Sequence, residues 1–182
     1  MHTKVTLDSI TELSDELAIR AIWVIPAPRL SVYAVASDFE RFPLYFPKLA
    51  RSACVTSRSA DQMIIEVEAA SFGRFFPAVR VTINAELLPG TGYRCATFNH
   101  TFGTTGREAF VLTDAPQGTQ ISYTYIVRVH RKWLRPLYGW LVRRFALPYW
   151  KRHYLDPLTQ LARNHEREAI SKAAAADGGS GN

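Results

Sequence analysis

Cysteine is scarce in this chain of 182 residues: Cys54 and Cys95 are its only two. Two cysteines build no disulfide framework, and these two lack metal-ligand spacing. Cys95 sits inside a strand-like run, where a cysteine serves as a small buried hydrophobe. A reducing, cytoplasmic location is the expectation. No pair of the five histidines is spaced with a carboxylate as metal ligands are, so no metal site is expected. No run of eighteen apolar residues occurs, so no transmembrane helix is expected. The first sixteen residues are polar and acidic, with no apolar stretch of the kind a secretory signal needs. There is no Gly-rich phosphate loop and no nucleophile motif, and nothing calls for a cofactor.

One further absence is regional. Between Ala115 and Leu155 there is no Asp or Glu, while the same stretch holds eight Lys and Arg and three of the four tryptophans. The net charge is +6, so the rest of the chain sums to −2 and the basicity is local. A basic, aromatic segment at helical period either closes a core with its charges in water or seeks an anionic surface such as phospholipid headgroups. Single-strand nucleic-acid binders also interleave aromatic and basic residues. The apolar face of this helix is needed for the core, however, and no nucleic-acid motif is present, so nucleic acid is an unlikely partner. With 47% hydrophobic and 21% charged residues, the chain reads as one globular domain.

Residues 1–16 read as a tail or short helix. A first strand spans Leu17–Ile25 and stops at Pro26 and Pro28. Arg29–Ala36 reads as a short helix with Leu30, Tyr33 and Ala34 on one side, and a second short helix ends before Pro47. Period-2 patterns follow. Met63, Ile65, Val67 and Ala69 share one face, Val79, Val81, Ile83, Ala85 and Leu87 another, and Ile121, Tyr123, Tyr125, Val127 and Val129 a third. Turns such as P-G-T-G and A-P-Q-G connect them. After His130 the period becomes 3.6, with Leu134, Leu137, Tyr138, Leu141 and Phe145 in one stripe. Pro148 predicts a kink, and Asp156-Pro157 an N-cap and helix restart. Residues 17–170 form the domain, and residues 171–182 are expected to fray into a disordered tail. The order predicts an α+β fold: a curved antiparallel sheet around a long C-terminal helix, with two short helices after the first strand.

The words I-P-A-P at 25–28, V-Y-A-V-A-S-D-F at 32–39, F-P-L-Y-F-P at 42–47 and F-V-L-T-D-A-P-Q-G-T-Q-I-S-Y at 110–123 carry a resemblance. The chain resembles the START/Bet v1-like superfamily, in its polyketide cyclase/dehydrase and lipid-transport branch, over roughly residues 17–168. The resemblance implies a helix-grip fold with a cavity under the C-terminal helix. Such a cavity takes a hydrophobic small molecule: lipid, quinone or polyketide. It also implies an alternative, a cyclase, aromatase or dehydratase that works by proton transfer.

Glu108 shares parity with Phe110 and Leu112, whose face the resemblance makes inward, and is the candidate buried acid; a salt-bridged edge residue is the plainer alternative. His100 shares parity with Phe98 and is a candidate general acid or base, or simply an exposed strand histidine. Tyr33, Phe98, Phe110, Tyr123, Tyr125, Tyr138, Leu141 and Phe145 are candidate ligand-lining residues, the alternative being core packing. A second helical stripe, Trp133, Trp140, Arg144, Leu147 and Lys151, suits an anionic membrane surface and peripheral contact there; packing on loops of the same domain is the alternative.

Overall fold

The computed structural model describes residues 6–13, 16–69, 78–131, 133, 140, 144 and 147–177. Among the described residues there are eight strands: β1 (Thr6–Leu13), β2 (Glu16–Ile25), β3 (Ala50–Arg58), β4 (Gln62–Ala69), β5 (Val79–Leu88), β6 (Gly92–Asn99), β7 (Thr104–Ala115) and β8 (Gly118–Val129). They form one antiparallel sheet in the order β1-β2-β8-β7-β6-β5-β4-β3. The meander from β3 to β8 is the one expected, and β2 pairs with β8 along its whole length. Two short helices, α1 (Arg29–Ala36) and α2 (Phe42–Tyr45), separate β2 from β3. At the C-terminal end, α3 (Leu147–Trp150) passes through a π-helical turn at Lys151–Leu155 into α4 (Asp156–Asp177).

The alternating patterns resolve as anticipated. Met63 and Ile65 are buried on β4 while Ile64 and Glu66 are exposed, and on β8 Ile121, Val127 and Val129 are buried. The inner face of the sheet, toward α1, α2 and α4, collects Trp23, Ile25, Ile65, Phe110, Leu112 and Ile121, all at or near zero exposure. Leu155, Leu158 and Ala162 meet them from the helix side. Spacings of 3 and 4 along one helix put those three on a single stripe. Thr119 is buried, and its hydroxyl donates to the Ala27 carbonyl at 2.7 Å, tying the β7–β8 hairpin to the turn after β2. Gly118 at φ 129° permits that approach, because a Cβ there would run into the Ile25 carbonyl oxygen.

Four expectations need correction. Residues 6–13 form strand β1, because the outer edge of β2 offers unpaired backbone groups that a neighbouring segment satisfies. In α1 the buried residues are Ser31, Val32, Val35 and Ala36, whereas Leu30 is 68% exposed. Helix α4 runs to Asp177, past the expected fraying point, through four consecutive alanines, the residue of highest helix propensity. Asp156 is helical (φ −65°, ψ −47°), so the helix does not restart there. The ring of Pro157 would clash with the His153 carbonyl in a regular α-helix. The π-turn just before it, closed by the Asp156 N–H donating to the Lys151 carbonyl, is where the ladder adjusts.

Leu158 anchors α4 with no exposed surface. Leu158→Ala should therefore lower the free energy of unfolding by about 2–5 kcal/mol in a urea titration. Leu30→Ala, on the solvent side of α1, should change it by no more than about 0.5 kcal/mol.

Candidate functional site

Glu108 sits in the middle of β7, opposite Cys95 on β6 and Tyr125 on β8. Its parity puts it on the inner face with Phe110 and Leu112, the face that the resemblance makes inward. The Tyr93 hydroxyl donates to Glu108 Oε1 at 3.1 Å, and the Tyr93 and Tyr154 hydroxyls lie 3.5 Å apart. Tyr154 comes from the π-turn, so the cluster joins sheet to helix. Around it the rings form a continuous aromatic wall. Tyr93 stacks on Phe110 at 5.0 Å with an interplanar angle of 1°, and Trp150 meets Tyr123 at 4.8 Å, Tyr154 at 5.3 Å and Trp23 at 5.4 Å. The Trp23 indole N–H is buried with no hydrogen-bond partner among the described residues. An unmet donor of that kind costs about 1–3 kcal/mol.

Burial sets the electrostatics. Loss of hydration pushes the Glu108 carboxyl up to about 7, against the pull of the Tyr93 hydrogen bond, which favours the ionised form. Burial also holds the Tyr93, Tyr123, Tyr125 and Tyr154 phenols and the Cys95 thiol above their ordinary ranges, and the Glu108 charge adds to this. At neutral pH the phenols and the thiol keep their protons, and Glu108 alone exchanges one. Its residue surface is nevertheless only half-buried, as are those of Tyr123 and Tyr125. The Tyr125 ring lies against Gly106: a Cβ there would sit 2.7 Å from Tyr125 Cε2. Glycine at 106 is thus what lets this ring lie flat on the sheet.

The other candidate residues distribute as follows. Phe110 and Tyr123 belong to the aromatic wall, Tyr125 flanks Glu108, and Tyr33 packs half-buried on the core from α1. Phe98 and His100 are corrections. The inner residues of β6 are Tyr93 and Cys95, which sends Phe98 (43% exposed) and His100 to the outer face. There the His100 ring meets Phe98 at 4.7 Å and shares a 2.7 Å hydrogen bond with the Thr82 hydroxyl. Phe98 lines an outer hollow of about 430 Å³ with Asn84, Thr105, Arg107 and Arg128, where Glu16 bridges Arg128 at 2.9 Å and Arg107 at 3.6 Å. That hollow lies across the sheet from Glu108. Tyr138, Leu141 and Phe145 lie outside the described residues. Trp133 and Trp140 are 70% and 55% exposed, Arg144 and Lys151 are exposed, and Leu147 opens α3. Three members of the site were not foreseen: Tyr93, Tyr154 and Trp150. Tyr93 was hidden by the nearly equal apolarity of the two β6 faces. Tyr154 was hidden by the π-turn, whose extra residue rotates the helix face by about 100°.

The raised Glu108 pKa makes a stability prediction. The folded value lies above the unfolded one, so the folded state holds more protons between about pH 4.5 and about pH 7. Stability should fall as pH rises through that window, by about 3 kcal/mol in all. Glu108→Gln should abolish the slope and leave the protein more stable than wild type at pH 8, as urea unfolding at several pH values would show.

No family model matches the sequence, and no curated protein matches it. Solved structures do match. One is the two-domain aromatase/cyclase StfQ of the steffimycin pathway, with a TM-score of 0.64 and 12% identity over 86% of this chain and 52% of that one. The chain therefore spans about half the length of that protein. A second is the Zhui aromatase/cyclase from Streptomyces, with a TM-score of 0.57 and 13% identity over 89% of this chain and 94% of that one. A third, Ara h 8.0201, matches with a TM-score of 0.58 and 12% identity over 82% of this chain and 99% of that one. Identities this low speak for the backbone and leave the chemistry open. An antiparallel sheet, two short helices inserted after the strand that begins the core, and a long C-terminal helix packed on the inner face together make a helix-grip fold, the backbone arrangement this chain shares with those structures.

Proposed function

We propose that the protein binds a hydrophobic small molecule (a lipid, a quinone or a polyketide) between the inner face of the sheet and the C-terminal helix. The observation that carries this is the half-buried Glu108 carboxyl, set among Tyr93, Tyr123, Tyr125 and Tyr154 in an otherwise apolar aromatic wall. A small polar group inside a large apolar surface orients a ligand while area supplies affinity, at roughly 25 cal/mol per Å² buried before ordering costs. A carboxyl that exchanges its proton near neutrality also favours a second reading, proton-transfer catalysis on a polyketide-like substrate with Glu108 as acid or base. The likeness of fold to two aromatase/cyclases is in keeping with it.

One experiment addresses both. Native mass spectrometry of the protein purified from its own host should show an adduct that organic extraction removes and identifies. A protein that carries no adduct and also fails to bind apolar fluorescent probes would overturn the binding reading. If the extracted compound is transformed by the wild type, Glu108→Gln should slow turnover by about 10²–10⁴-fold while His100→Ala leaves it unchanged. Equal rates for wild type and Glu108→Gln would leave a carrier.

The basic segment supports a place for ligand exchange. Trp133, Trp140, Arg144 and Lys151 are all exposed, a combination of indole and cation that suits an anionic lipid interface. The full-length protein should co-sediment with phosphatidylserine-containing vesicles at low salt and not with phosphatidylcholine alone. Trp133→Ala with Trp140→Ala should reduce the bound fraction several-fold. Sedimentation that ignores both salt and lipid charge would remove the membrane from the proposal.

A further inference from the structure

Building on the ligand-binding reading, we infer that the inner site takes uncharged molecules bearing a carbonyl or hydroxyl oxygen and turns away carboxylates, so that ketones and quinones fit it and free fatty acids do not. The first support is where the cations are. The arginines of β2, β5, β6, β7 and β8 (Arg20, Arg80, Arg94, Arg107 and Arg128) are all exposed, on the face opposite Glu108. Among the described residues the inner face of those strands carries two carboxylates and no cation: Glu108, and Asp114 at the end of β7, which is exposed and paired with Arg29 of α1 at 3.4 Å. A carboxylate brought there would lose its hydration, meet no counter-charge and face Glu108, each of which opposes binding.

The second support is a count of hydrogens. Each phenol has one O–H. Tyr93 donates its own to Glu108 Oε1, so at the 3.5 Å Tyr93–Tyr154 contact the donor is Tyr154. The hydrogens of Tyr93 and Tyr154 are then spent inside the chain of contacts. When Glu108 is protonated, the carboxyl hydrogen is left over, and Oε2 has no hydrogen-bond partner among the described residues. The residue keeps part of its surface open. A spare donor beside an aromatic wall matches a ligand that offers an acceptor oxygen on a flat or apolar body. The groups facing Glu108 are Tyr93 and Cys95 from β6, Tyr123 and Tyr125 from β8, and Tyr154 from the π-turn, and all of them stay protonated well beyond neutrality. The donor is therefore lost through Glu108 alone as pH rises.

The test uses two probes with one ring system, 2-acetylnaphthalene and 2-naphthoate, titrated into the wild-type protein by calorimetry at about pH 6 and about pH 8.5. At the lower pH the ketone should bind at least about tenfold more tightly than the carboxylate. Its affinity should fall several-fold at the higher pH. Glu108→Gln keeps an N–H donor without a charge, so its ketone affinity should be the same at both pH values. Glu108→Leu removes the donor and should weaken the ketone at both. Naphthoate binding as tightly as the ketone, or a ketone indifferent to pH and to Glu108→Leu, overturns the inference while ligand binding at the inner face stands. Failure of both probes to bind overturns the inference together with the reading it rests on.

Discussion

Successive residues of a strand project to opposite faces, and the eight-stranded sheet inherits its organisation from that alternation. On β4, β5 and β8 the apolar residues fall on one parity, and the helices cover the face they make. The same rule drives every arginine of β2 and β5–β8 outward, where Glu16 pairs with Arg107 and Arg128. It also settles Glu108, which has no freedom to leave the inner face while Phe110 and Leu112 are buried two and four residues away. A one-residue slip would exchange Glu108 for Arg107 and expose the core, so register and site chemistry are held by one constraint.

A carboxyl placed this way opposes folding once it ionises. The molecule limits the penalty in two ways: the Tyr93 hydroxyl stabilises the charge, and the raised pKa lets the group stay neutral through part of the physiological range. Core residues chosen for stability alone would include neither Glu108 nor the unmet Trp23 N–H. Polar groups kept in an aromatic wall at a cost to stability fit the proposed ligand site, and here they converge from β2, β6, β7, β8 and the π-turn.

The C-terminal helix contributes on two sides. Leu155, Leu158 and Ala162 close the core, and Tyr154 completes the hydroxyl chain. The π-turn that presents Tyr154 follows from Pro157, whose ring cannot follow a regular α-turn. Upstream, the indoles of Trp133 and Trp140 and the cations of Arg144 and Lys151 are exposed. One continuous stretch of sequence thus holds the residues proposed to grip a ligand and those proposed to meet a lipid surface.

The sequence alone determined the meander, the two short helices after β2 and the shared parity of Glu108, Phe110 and Leu112, because period-2 alternation and turn residues act locally and survive without tertiary context. It also located the basic, tryptophan-rich segment. Tertiary structure decided the rest. Only pairing with β2 turns residues 6–13 into a strand, since an edge becomes available only once the sheet exists. Only packing chooses between the two equally apolar faces of β6, sending Tyr93 and Cys95 inward and Phe98 and His100 outward. The partnership of Glu108 with Tyr93 and Tyr154 joins residues up to 61 positions apart in the chain, and it depends on a helix phase that a π-turn has shifted, which no periodicity read along the chain encodes.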